Sequence, residues 1–211
     1  MKNNAALIIK GVCVFCGSSP GRGPVYMRAA EDLGSEIARR GMTLVYGGAS
    51  VGLMGMVART VLDAGGRVIG VIPESLKDQE IVQDGLLEMY IVSSMHERKA
   101  KMVELSDAFI ALPGGFGTLE EFFEVITWAQ LGIHVKPCGL LNISGYYDKL
   151  LSFLDDAVEE GFIYGLHRDV ILTANNPSEL IEKMQSYKPV RHSKTLWARQ
   201  MENGDPDKTQ K

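Results

Sequence analysis

Seven short apolar runs recur along this chain, and a helical pattern follows almost every one. The runs fall at 11–15 (GVCVF), 43–46 (TLVY), 67–72 (RVIGVI), 89–92 (MYIV), 108–112 (AFIAL), 138–141 (CGLL) and 170–173 (VILT). Helical periodicity occupies 24–40, 53–64, 95–105, 119–131, 147–160 and 177–185. Parallel strands need a long crossover, and the helices that make it cover the sheet, so such strands are apolar throughout and do not alternate. The alternation therefore predicts an α/β protein, a doubly wound, Rossmann-like parallel sheet with helices on both faces. The 211 residues, 45% hydrophobic, show no internal repeat or linker. One domain over 1–185 is expected, followed by a polar tail over 186–211 whose end is expected to be mobile.

Sheets of this kind bind ligands at the carboxyl ends of their strands. Three strand ends carry glycine-rich turns: 17–23 (GSSPGRG), 47–52 (GGASVG) and 113–117 (PGGFG). Together Gly17, Ser18, Gly47, Gly48, Gly114, Gly115 and Gly117 predict a floor of polar backbone suited to a nucleotide-like ligand. The third turn carries the strongest signal. It joins an apolar strand to a helix whose stripe is Leu119, Phe122, Phe123, Ile126 and Gln130. Bare N–H groups there meet the positive end of a helix dipole, a site for phosphate. Glu120 and Glu121 follow at once, and carboxylates repel phosphate, so they suit another part of the ligand. The competing reading is a capping box, Thr118 to Glu121, in which Glu121 is structural; a cap needs none of the glycines upstream. The string differs from GxGxxG, since Glu120 stands where the third glycine belongs, and no GxxxxGK[ST] occurs.

A net charge of −4 and a pI near 5.6 exclude a broad nucleic-acid or anionic-membrane surface. No apolar run approaches the roughly 20 residues of a membrane span, and 1–11 is too weakly apolar for a signal peptide. Three cysteines suit a reducing compartment, so a cytoplasmic protein is expected. Cys13 and Cys16 form a lone CxxC inside an apolar run, which reads as strand packing before redox or zinc chemistry. His96, His134, His167 and His192 are scattered, so no metal is expected.

One helix carries cations where apolar residues are anticipated. Ser94 to Glu97 forms a capping box, and Met95, Arg98, Lys99 and Met102 share one face. Snorkelling accounts for such cations when their heads reach water. The helix also feeds the strand ending at Pro113, where an arginine fork suits a phosphate.

The glycine turn with its upstream Arg-Lys pair resembles the LOG (lonely guy) family, the cytokinin riboside 5′-monophosphate phosphoribohydrolases, also labelled lysine decarboxylase-like. The similarity spans about 12–181 and includes VFCGSS (14–19), VYGGA (45–49), MHERK (95–99), PGGFGTLEE (113–121) and EVITWAQLGIH (124–134). The resemblance implies that Arg98 and Glu121 are catalytic and that Gly115, Gly117 and Thr118 cradle a 5′-phosphate. It places Lys99, Glu80 and Thr127 at the ligand, and Gly114, Glu120, Gly17, Ser18, Gly47 and Gly48 are counted with the binding residues. The implied substrate is a nucleoside 5′-monophosphate, AMP or an N6-modified AMP, cleaved by water to free base and ribose 5-phosphate without metal or organic cofactor. A homodimer with each site near the interface is also implied, and a second stripe of Glu121, Val125 and Trp128 is expected to face that partner. The rival reading is a nucleotide-binding or carrier module without catalysis.

Overall fold

The computed structural model describes residues 6–77 and 85–189; Glu80 and the tail beyond residue 189 lie outside them. Strands β1 (Gly11–Phe15), β2 (Thr43–Tyr46), β3 (Arg67–Pro73), β4 (Glu88–Val92), β5 (Ala108–Ala111), β6 (Cys138–Leu141) and β7 (Ile171–Ala174) form one sheet in the order β4-β3-β2-β1-β5-β6-β7. Every neighbouring pair is parallel. The doubly wound sheet expected from the alternation is present. Its direction of winding reverses at β1, where Val12 pairs with Leu44 on one side and Ala108 on the other.

Helices α1 (Pro24–Arg39), α2 (Gly52–Asp63), α3 (Glu74–Lys77), α4 (Met95–Glu104), α5 (Phe116–Gln130), α6 (Asp148–Glu159), α7 (Gly165–Arg168) and α8 (Pro177–Gln185) make the connections. Side chains alternate along a strand, so each strand feeds two cores. Val12 and Val14 of β1 join Ala108 and Ile110 of β5 under α1, α2 and α8. Cys13, Phe15, Phe109 and Ala111 face the other way, under α4, α5 and α6. The two members of CxxC thus serve opposite cores, three residues apart with opposed directions, and both are buried free thiols. Burial raises both thiol pKa values, the reverse of a reactive cysteine.

Strand and helix bounds agree with the sequence reading to within one residue, except at the start of α5. The four-residue helices α3 and α7 were not anticipated, because one turn is too short to display periodicity. Among the described residues, no helix is long and apolar enough to cross a membrane.

Candidate active site

The reversal of winding at β1 and β5 leaves a crevice at their carboxyl ends, where the connections run to opposite faces. Gly17 ties its rim together. Its N–H donates to Pro113 O (3.1 Å), and its carbonyl accepts from the Leu53 N–H at the start of α2 (3.1 Å). The turns after β1, β2 and β5 are therefore hydrogen-bonded into one surface.

Helix α5 begins at Phe116, three residues earlier than its apolar stripe indicates, with Gly115 as N-cap and no side-chain cap. Its first helical bond runs from Leu119 N–H to Gly115 O (3.1 Å). The N–H groups of residues 115–118 have no acceptor within the helix, and no acidic residue occupies the first turn. This corrects the capping-box reading. Thr118 is already the third helical residue, and its hydroxyl sits where a side chain on Gly114 would collide, 2.0 Å from an added Cβ. With Gly115 as the N-cap, Thr118 packs inward at 4% exposure. The donors of the helix end stay open to an anion.

Arg98 approaches from α4. Ser94 Oγ caps that helix by accepting the Glu97 N–H (3.2 Å), while the Glu97 carboxylate accepts from Ser93 N–H and Ser93 Oγ–H. Arg98 is 6% exposed, so its head does not reach water as a snorkelling side chain would. Nη2 donates to Gly47 O (3.3 Å), and Nε is buried without a partner. A side chain on Gly47 would put its Cβ 2.1 Å from Nη2, so glycine is what lets the guanidinium in. An unmet buried donor destabilises a protein unless something else satisfies it. Arg98 borders a cavity of about 340 Å³ lined also by Glu121, Thr118, Gly17 and Ser18.

Burial raises the Glu121 pKa to about 7; Arg98 pulls it down and Glu120 pushes it up. The carboxyl is thus held between its charged and neutral forms near physiological pH.

Several predicted contacts have other partners. Lys99 is 8% exposed, and Nζ donates to Glu120 Oε1 (2.5 Å) and pairs with Glu124 Oε1 (3.1 Å). Burial works against its ammonium, but the two carboxylates prevail and its pKa lies above the ordinary value. Lys99 does not line the cavity, whereas Glu120 does. Thr127 is exposed, with its hydroxyl donating to Phe123 O (2.7 Å), and it too lies off the cavity wall. Gly48 is buried at φ 89° beneath Met89 and shapes the β2 turn without lining the cavity.

The α5 stripe also differs from expectation. Val125, expected to face a partner, is 2% exposed and packs with Phe122 in the protein's own core. Trp128 stays partly exposed. Two features escaped the sequence reading. Met54, Met95 and Met102 form an apolar wall beside Arg98. A second cavity of about 320 Å³ shares Gly17, Ser18 and Gly115 and is walled by Tyr26, Tyr146 and Leu53. The sequence places Met95 and Met102 on one face with Arg98, but not at the ligand; the other wall residues come from separate segments.

An open helix end at the switch point of a doubly wound sheet, with Arg98 and Glu121 on the wall of one cavity beside it, defines a protein of Rossmann type. Residues 54–184 match the family model described as "Possible lysine decarboxylase". The chain is 54% identical over 191 residues to the cytokinin riboside 5′-monophosphate phosphoribohydrolase LOG5 of Arabidopsis thaliana, covering 89% of this chain and 84% of that one. It is 56% identical over 182 residues to LOG4 of the same plant, covering 86% and 85%. The chain belongs to the LOG family. Its fold is shared with the molybdenum cofactor binding protein of Rippkaea orientalis (TM-score 0.64, 27% identity, 86% of this chain and 98% of that one). The Moco carrier protein of Chlamydomonas reinhardtii shares it too (TM-score 0.62, 21% identity, 90% and 98%), a likeness of fold alone.

Proposed function

We propose that this protein hydrolyses the N-glycosidic bond of purine riboside 5′-monophosphates, cytokinin riboside 5′-monophosphates among them, releasing free base and ribose 5-phosphate. The observation that carries this reading is Glu121, a buried carboxyl beside an arginine whose Nε lacks a partner, on the helix whose open end suits a phosphate. The N–H groups of residues 115–118 hold the 5′-phosphate. Arg98 binds an anionic or hydroxyl oxygen of the sugar phosphate. As the base departs with the bonding electron pair, positive charge develops at C1′, and the Glu121 carboxylate stabilises it. Water adds its hydroxyl to C1′, and its proton balances the charge left on the base.

The decarboxylase description fits these residues poorly. Decarboxylating an amino acid requires an electron sink such as PLP, held by a lysine whose amine is readily deprotonated. Lys99 is the reverse, an ammonium held by two carboxylates. A carrier reading draws on the neighbouring folds, but a carrier of a phosphorylated ligand gains nothing from a carboxyl at Glu121. Release of base and ribose 5-phosphate from AMP and from N6-isoprenyl AMP is the test; tight binding without release of either would favour the carrier.

The carboxylate role fixes the pH dependence. With Glu121 near 7, kcat/KM rises as pH increases through about 7 and levels above it. Lys99→Met strips the counter-charge from Glu120 and Glu124, so this limb moves to higher pH. A limb that falls above 7 would mean that Glu121 acts in its protonated form.

We also infer a homodimer. Phe116 at 94% exposure opens α5, Trp128 is partly exposed on it, and Leu131, Ile133 and Val135 follow at 44%, 63% and 55%. Exposed apolar side chains on α5 and on the loop that follows it suit a partner. Trp128→Glu introduces a charge that such an interface cannot solvate, so sedimentation shows monomer and activity falls with it. A native monomer with full activity would refute this. The three buried, free cysteines favour a cytoplasmic setting.

A further inference from the structure

Four consecutive carbonyls leave β5 toward the open end of α5, and each is occupied by a donor of the protein. Pro113 O accepts from Gly17 N–H, and Gly115 O accepts from Leu119 N–H. The other two are taken by adjacent tyrosines from a different connection. Tyr147 Oη–H donates to Leu112 O (2.7 Å), and Tyr146 Oη–H donates to Gly114 O (2.7 Å).

The turn that delivers these tyrosines is built for the purpose. Ser144 at φ 54° and Gly145 at φ 72° are consecutive left-handed residues; Ser144 is the one non-glycine residue with positive φ among those described. Asn142 holds the turn. Its Oδ1 accepts from Tyr147 N–H (2.7 Å), its Nδ2 donates to Asp148 Oδ1 (2.7 Å), and its own N–H donates to Ala174 O on β7 (2.8 Å). Left-handed strain at a non-glycine residue persists where surrounding contacts over-determine it, often beside a site. Tyr147 is 2% exposed and belongs to the core, whereas Tyr146 is 45% exposed, packed edge-on against Tyr26 and Tyr147.

We propose that Tyr146 is a positioning residue for the phosphate loop: its hydroxyl holds the Gly114 carbonyl away from the ligand and so aims the Gly115 N–H that follows it. In a trans peptide the N–H points opposite the C=O, so anchoring one oxygen orients the next donor. Without that bond the Gly114–Gly115 peptide, flanked by glycines, is free to rotate and to turn a carbonyl lone pair toward the phosphate. The inference rests on the reading of this loop as the 5′-phosphate site.

Tyr146→Phe keeps the ring and its packing and removes only the hydroxyl. Equilibrium binding of AMP, ribose 5-phosphate and adenine is measured for native protein and variant, with AMP turnover where present. Affinity for the two phosphorylated ligands should fall about fivefold, the scale of one hydrogen bond, while adenine binding and the thermal midpoint stay unchanged. In turnover, KM rises with kcat retained, because the phosphate is held equally in ground and transition states. A general structural defect would instead lower the midpoint and weaken adenine too, the result expected of Tyr147→Phe. Native binding of ribose 5-phosphate with an unaltered Tyr146→Phe overturns the positioning role and leaves the site intact. If the native protein binds neither phosphorylated ligand, the phosphate reading falls and this inference falls with it.

Discussion

Glu121→Gln lowers turnover of a purine riboside 5′-monophosphate by about 10²- to 10⁴-fold while nucleotide affinity is kept. Glutamine has the shape of the carboxyl but neither stabilises positive charge at C1′ nor titrates, so the pH limb near 7 disappears with the activity. The stability consequence has the opposite sign from that of a lost cap. The native pKa of about 7 lies above the ordinary 4.5, so the folded state holds this proton more tightly than the unfolded chain. Stability is therefore full below about 4.5 and declines as pH rises to about 7. Glutamine carries no charge to bury. The variant should gain on the order of 1–3 kcal/mol over the native protein at pH 8 and nothing at pH 4. Thermal or urea unfolding at both pH values checks the sign, and base release checks the chemistry. A capping glutamate would give a loss of about 0.5–2 kcal/mol with turnover kept, and that outcome would return Glu121 to a structural role.

The sheet was legible in the sequence because a strand covered on both faces must be apolar at every position. β1, β2 and β6 were found to the residue for that reason. The start of α5 was misplaced because its first turn, Phe116 to Thr118, carries no apolar stripe: Phe116 is 94% exposed and points away from the sheet. Glycine itself serves as the cap there, leaving no side-chain signal to read. The side chains of the site were legible as types but not as partnerships. Arg98 and Lys99 are neighbours on α4, yet helical geometry turns adjacent side chains apart. One meets Gly47 O at the cavity and the other meets Glu120 and Glu124. Which of two adjacent cations faces the ligand depends on how α4 packs on α5, a tertiary fact. Tyr146 was invisible for a similar reason. Its partner, Gly114 O, is 32 residues away and offers no side chain to covary in pattern or charge.

Arg98→Ala should lower kcat/KM for the 5′-monophosphate by about 10²- to 10³-fold, comparable to removal of a charged donor from a preorganised site. The fold should tolerate it. In the free protein Arg98 has a buried Nε without a partner, one 3.3 Å bond to Gly47 O and a weak one to Met95 Sδ (3.8 Å), so its charge is held at some cost to stability. Removing it leaves one carbonyl beside an enlarged cavity that water enters, a small loss. The effect on Glu121 separates Arg98 from a residue that only fills space. Arg98 pulls the Glu121 pKa down from where burial would place it, so in Arg98→Ala the surviving activity rises with pH through a higher value than in the native protein. Arg98→Lys is not a rescue: an ammonium has no planar fork to meet Gly47 O and a ligand oxygen together. Three measurements decide the matter: kcat/KM with AMP against adenosine, the pH limb, and the thermal midpoint. Equal activity of the native protein on AMP and adenosine would remove the phosphate from Arg98's account. A limb that stays near 7 in the alanine variant would show that Arg98 and Glu121 do not share one field, and the catalytic pair would have to be abandoned.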